Sequence, residues 1–180
     1  SRPIELKFLA KTFIKSAKIL QKKHPEIQFC ISHAPNLSDG IFDKYIHDTD
    51  FKVIKGENQA LLSVSDSLIL ASGTVALEAS LYQVPMLIGY KGPWILYFLY
   101  LLFRCIKNVS LPNIVTGEDI VPELIQAKFN VDNICYETER FLYDKEYREK
   151  TISELGKVRE KLSNKYSAQE VAEEIIKALK

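Results

Sequence analysis

Residues 72–78 read Ser-Gly-Thr-Val-Ala-Leu-Glu. They follow an apolar run, Leu68 to Ala71, and open a helical pattern that continues to Leu81. The first amides of a helix have no partner inside it, and with the helix dipole they favour an anion. Gly73 lets a ligand approach the backbone closely. Thr74 can add a hydroxyl. Glu78 lies four residues beyond Thr74, on the same helix face. It is too far along to share a phosphate with the turn, and would repel one. It can accept two hydroxyl hydrogen bonds, as from a ribose. Phosphate at Ser72, Gly73 and Thr74 with sugar hydroxyls at Glu78 is a nucleoside diphosphate arrangement. The same residues admit a plainer account, in which Ser or Thr caps the helix and the carboxylate answers its dipole.

The elements that must hold this turn follow from periodicity. Apolar residues at Ile4, Phe8, Phe13, Ile14, Ala17 and Leu20 predict a helix over Pro3 to Lys23, stopped by Pro25. Short apolar runs predict strands at Ile27–Ile31, Phe51–Ile54, Leu68–Ala71 and Met86–Gly89. Between them come a short helix at Asp39–Tyr45, one capped by Asn58 and running to Ser63, and one at Thr74–Leu81. Strands alternating with helices predict an α/β, Rossmann-like parallel sheet with helices on both faces. Ligands of such sheets bind beyond the carboxyl ends of the strands, where Ser72 lies. The last third turns helical: Asn130–Leu142, Lys145–Ser163, and a helix through Leu179 opened by the capping box Ser167-Ala168-Gln169-Glu170. No repeat or long linker divides the chain, so residues 1–180 read as a single domain.

Composition narrows the class. With 180 residues, 47% hydrophobic and 26% charged, the chain is globular. A net charge of +1 gives no bulk signal for nucleic acid. Cys30, Cys105 and Cys135 form no Cys-x-x-Cys pair, and His24, His33 and His47 show no metal spacing, so neither a metal nor a redox motif is expected. The histidines read as surface or loop residues, with His33 at a strand end bordering the cleft. Trp94 to Phe103 is apolar all round, yet too short to span a membrane, which takes about 20 residues. Its Trp and Tyr, with Arg104 and Lys107 after it, suit a membrane surface or a partner as well as a core. The chain opens at Ser1-Arg2-Pro3 without an apolar signal region, and reads as a piece of something longer.

Five stretches occur in order: Ser1-Arg2-x-x-Glu5, Ala71-Ser72-Gly73-Thr74-x-x-x-Glu78, Pro85-Met86-x-x-x-Tyr90, Ser110-Leu111-Pro112-Asn113, and Pro122-Glu123-Leu124-x-Gln126. Together they resemble the lipid-A-disaccharide synthase family of bacterial glycosyltransferases, most strongly from Leu70 to Gln126. The resemblance implies one half of a two-domain GT-B fold, the carboxyl-terminal donor-binding domain. It implies UDP-2,3-diacylglucosamine as donor and 2,3-diacylglucosamine 1-phosphate as acceptor, with inversion and release of UDP. The general base is expected in the amino-terminal domain, so no catalytic residue is assigned here. Arg2 is expected at the diphosphate, with Ser72, Gly73 and Thr74. Glu78 is expected at the ribose, and Asn113, Glu123 and Gln126 along the donor cleft. No cofactor and no metal are required.

The residues alone keep alternatives open. Arg2 can be merely solvated, Asn113 can be a turn residue, and Glu123 and Gln126 can sit on a short helix begun by Pro122. The resemblance further implies a bacterial cytoplasmic protein, peripheral on the inner membrane, with a possible homodimer through the helices after Asn130. Two other functions compete. One is a different GT-B enzyme using UDP-N-acetylglucosamine. The other is a non-catalytic membrane-surface or assembly module. The fragment by itself is expected to be inactive, because GT-B chemistry occurs between two domains.

Overall fold

A computed structural model describes residues 3–93, 108–163 and 175–177. Arg2, Trp94–Phe103 and the capping box at Ser167 lie outside the described residues, while 175–177 are helical. Helix α1 spans Pro3–Lys23, as the periodicity predicts, and carries Lys22 and Lys23 in its last turn. Strands β1 (Cys30–His33) and β2 (Lys52–Lys55) pair in parallel, with His33 opposite Lys55. Both lie nearer the carboxyl end than the apolar runs suggest. Between them α2 (Asp43–Ile46) is a single turn. Helix α3 (Asn58–Val64) follows β2.

Strands β3 (Leu68–Ala71), β4 (Met86–Tyr90) and β5 (Glu123–Ile125) form a second parallel sheet in the order β3-β4-β5. Helix α4 (Val75–Leu81) joins β3 to β4, and α5 (Leu111–Thr116) precedes β5. The alternative of a short helix begun by Pro122 gives way to a strand: Glu123, Leu124 and Ile125 pair with Ile88, Gly89 and Tyr90. Among the described residues no ladder joins the two sheets. Helices α6 (Val131–Tyr143) and α7 (Lys145–Ser163) complete the α/β, Rossmann-like fold.

The centre is β4, whose Met86, Leu87 and Ile88 are fully buried. A strand covered on both faces needs apolar residues at every position. Met86 and Ile88 pack with Ala76 and Ala79 of α4 and with Leu155 and Val158 of α7. Leu87 packs on the other face with Leu9 of α1, Phe129, and Ile134 and Phe141 of α6. Each large side chain so buried stabilises the fold by about 1.5–3 kcal/mol relative to exposure. Gly89 is demanded by this packing. A Cβ there would stand 2.5 Å from Phe129 and 2.7 Å from Phe13. Those two rings meet edge to face with centroids 5.0 Å apart.

The last helices are pinned by polar contacts. Asn130 caps α6, its side chain accepting from the Asn133 amide at 2.9 Å. The Arg140 guanidinium lies 3.4 Å from the Tyr147 ring centroid, tying α6 to α7. Burial, with the Glu137 carboxylate that accepts from its hydroxyl, holds Tyr147 above the usual tyrosine range. At the foot of α1, Lys23 and His24 both reach Glu139 of α6, at 2.7 and 2.9 Å.

Candidate nucleotide site at the strand ends

The Ser72–Glu78 turn lies at the carboxyl end of β3, as expected. Neither hydroxyl caps α4. Thr74 occupies the N-cap position with helical dihedrals and makes no side-chain capping bond. Ser72 Oγ instead donates to the Val109 carbonyl at 2.8 Å. The Thr74 side chain is exposed. Gly73 is outside the left-handed region, and a Cβ there would meet nothing within 4 Å. The protein's own packing therefore gives no reason for glycine at 73, and the space above its backbone is open to an approaching group.

Glu78 is exposed in the first turn of α4. Its Oε2 accepts from Asn58 Nδ2 at 3.3 Å, and Asn58 Oδ1 accepts from Ser32 Oγ at 3.2 Å. Asn58 does not cap α3, contrary to expectation; Glu57 occupies that position, and the Asn58 side chain turns to Glu78 instead. Sequence reasoning missed Ser32 and Asn58 as neighbours of Glu78. The usable signal was position, since Ser32 directly follows a predicted strand and Asn58 opens the helix after the next one.

Asn113 and Glu123 are engaged by the chain itself. Asn113 is 1% exposed. Its amide donates to the Val121 carbonyl and to Glu123 Oε1, both at 2.9 Å. Its carbonyl accepts from the Ile120 and Val121 amides at 2.9 and 3.0 Å. That exhausts an Asn side chain, which offers two donors and two lone pairs. Glu123 accepts from the Val109 amide, from both the amide and hydroxyl of Ser110, and from Asn113. It thereby satisfies donors at the start of α5, as a carboxylate at a helix N-terminus should. Both residues hold the chain together behind Ser72, and Asn113 has no group left for a ligand.

Gln126 sits where β5 ends, beside the end of β4. Its Nε2 donates to the Gly92 carbonyl at 3.1 Å, and its buried Oε1 has no partner among the described residues. Its φ of +50° is uncommon for a side-chain-bearing residue. His33 is a correction: it is buried, with Nε2 at 3.2 Å from the Ser38 carbonyl. It lines a cavity of about 420 Å³ with Phe42, Asp43, Val53 and Lys55. The Lys55 ammonium pairs with Asp39 and holds that carboxyl below its usual range. Among the described residues no group of three His, Cys, Asp or Glu is placed to hold a metal. No described helix is long and apolar enough to cross a membrane.

The model of the family described as lipid-A-disaccharide synthetase matches residues 1–177. The chain belongs to this family. It is 35% identical over 179 residues to a lipid-A-disaccharide synthase of Anaeromyxobacter dehalogenans, covering 98% of this chain and 47% of that protein. It is 34% identical over 181 residues to the synthase of Geobacter sulfurreducens, covering 99% and 47%. A synthase of Actinobacillus pleuropneumoniae is 33% identical over 159 residues, covering 86% and 40%. The chain thus spans about half the length of the curated relatives it matches. Membership of the lipid-A-disaccharide synthase family agrees with the parallel α/β fold and with the order of the five motifs.

Proposed function

We propose that this chain is the nucleotide-sugar-binding half of a bacterial lipid-A-disaccharide synthase, a glycosyltransferase of lipid A biosynthesis. The reading takes residues 1–180 as one domain. The observation that carries it is the uncapped Ser72-Gly73-Thr74 turn with an exposed carboxylate one turn on, in a chain matched to the family over residues 1–177. The donor is UDP-2,3-diacylglucosamine and the acceptor 2,3-diacylglucosamine 1-phosphate. Amides at Gly73 and Thr74, the Thr74 hydroxyl and Arg2 bind the diphosphate. As the glycosidic bond to UDP breaks, charge grows on the departing phosphate oxygen, and these donors stabilise it more strongly than in the ground state. Glu78 holds the ribose hydroxyls. Gln126 borders the sugar at the ends of β4 and β5, and Asn113 and Glu123 brace the wall behind Ser72. Inversion follows from a single displacement by the acceptor hydroxyl, activated by a base from the amino-terminal half of the enzyme. Alone, the 180 residues bind UDP without turnover. The enzyme works at the inner face of the bacterial inner membrane, where both lipid substrates lie, and a homodimer would extend that contact.

Calorimetric titration of UDP tests the reading. Saturable binding is expected, with Glu78→Ala weakening it by about 1–3 kcal/mol, the scale of hydrogen bonds to a charged group. Unchanged affinity in that variant would remove Glu78 from the site. Comparing acylated with N-acetylated UDP-glucosamine donors separates this function from that of a UDP-N-acetylglucosamine enzyme.

A further inference from the structure

Glu78 is an exposed carboxylate on a seven-residue helix, and an unrestrained glutamate samples many rotamers. Asn58 answers the question of what aims it. Carboxylate oxygens only accept, so the Asn58 group within 3.3 Å of Oε2 must be the amide nitrogen. That choice turns the Asn58 carbonyl to Ser32, whose hydroxyl must then donate across 3.2 Å. The chain Ser32→Asn58→Glu78 therefore runs in one direction. It starts on β1, passes through the first turn of α3 and ends on α4, linking the carboxyl edges of two sheets that share no ladder among the described residues. One carboxylate oxygen is engaged. The other has no partner among the described residues. Asn58 has no capping duty, since Glu57 takes that position.

We propose that Asn58, held by Ser32, is a positioning residue that fixes the Glu78 carboxylate for a ribose diol. This rests on the nucleotide reading of Glu78 given above. Asn58 touches no nucleotide; it acts by reducing the rotamers Glu78 must lose on binding, which is preorganisation.

The test is a cycle of UDP and 2′,3′-dideoxy-UDP titrations on the full chain, with Asn58→Ala, Glu78→Ala and the double variant. Asn58→Ala is expected to weaken UDP about three- to tenfold, the range for one modest hydrogen bond. It should leave the dideoxy analogue within about 1.5-fold of wild type, since that analogue offers Glu78 no hydroxyls. In a Glu78→Ala background the Asn58 substitution should be silent. Equal losses for both nucleotides would overturn the inference, because a general disturbance of α3 acts on both alike. An effective Glu78→Ala beside a silent Asn58→Ala would sink the positioning role and leave the nucleotide reading standing. Ineffective substitution of Glu78 itself would sink the nucleotide reading.

Discussion

Two stretches on the same edge of the sheet use similar polar residues in opposite ways. Around β3 and α4, Thr74 and Glu78 stand exposed, and among the described residues Glu78 has a single side-chain partner, Asn58. Around α5 and β5, Asn113 has every donor and acceptor engaged within the chain, and Glu123 accepts four hydrogen bonds. Residue type does not distinguish the two. What distinguishes them is whether the chain's own side chains answer the free backbone donors nearby. The segment from Val109 to Val121 turns into and out of a short helix, so its amides would be orphaned without Asn113 and Glu123. At Ser72–Glu78 no side chain caps the first amides of α4, and Thr74 stays exposed.

The contrast can be broken most forcefully at Asn113. Replacing it with alanine strands two amides, a carbonyl and part of the Glu123 carboxylate, and should cost about 3–5 kcal/mol by urea unfolding. A loss under about 1 kcal/mol would mean that Asn113 is not a brace, and would return it to the donor cleft. Gly89→Ala is next, since it drives a methyl into Phe13 and Phe129 where the ends of β4 and β5 meet. Overpacking of this kind should destabilise by about 1–3 kcal/mol, with a lower unfolding midpoint as the readout. Glu78→Ala should do the reverse of Asn113→Ala: stability within about 0.5 kcal/mol of wild type, with the loss confined to UDP affinity.

The smallest effect is a control far from either stretch. Hydrogen bonding from Lys23, then from His24, holds Glu139 below the usual value of 4.5. Near and below that value the unfolded chain binds more protons than the folded one. The contribution is present above pH 4.5 and lost as pH falls through the folded pKa. Unfolding midpoints at neutral and acid pH should therefore differ less in Glu139→Gln than in wild type. An unchanged slope would show that this pair adds nothing to acid sensitivity.

Much of the scaffold was legible because apolar spacing dictates it. Helix α1, strand β3 and helix α7 match the predicted residues, and β4 is longer by one. Strand β1 sits later than its apolar run, because its register is fixed by β2, which periodicity cannot see. Strand β5 was hidden by Pro122 and Glu123, which resemble a helix start; what makes it a strand is the open edge of β4. The Ser72–Glu78 turn was found because it follows a clear strand. The inward use of Asn113 and Glu123 was not, since hydrogen bonds across α5 and β5 leave no periodic trace. Nor was the pull of Glu78 on Asn58, which a local capping rule assigns to its own helix.

The pairing of β4 with two such different neighbours also sets two different closure costs. Strand β3 reaches β4 across one short helix, whereas β5 follows β4 after a longer stretch of chain. Closing the longer loop costs more entropy, and such non-local contacts tend to form late. The Ser72 turn belongs to the more local half of the sheet, while the Val109 carbonyl that receives its hydroxyl belongs to the segment leading into β5. Pairing of β5 with β4 brings Glu123 to the donors at Val109 and Ser110, so the brace behind Ser72 depends on the longer of the two closures.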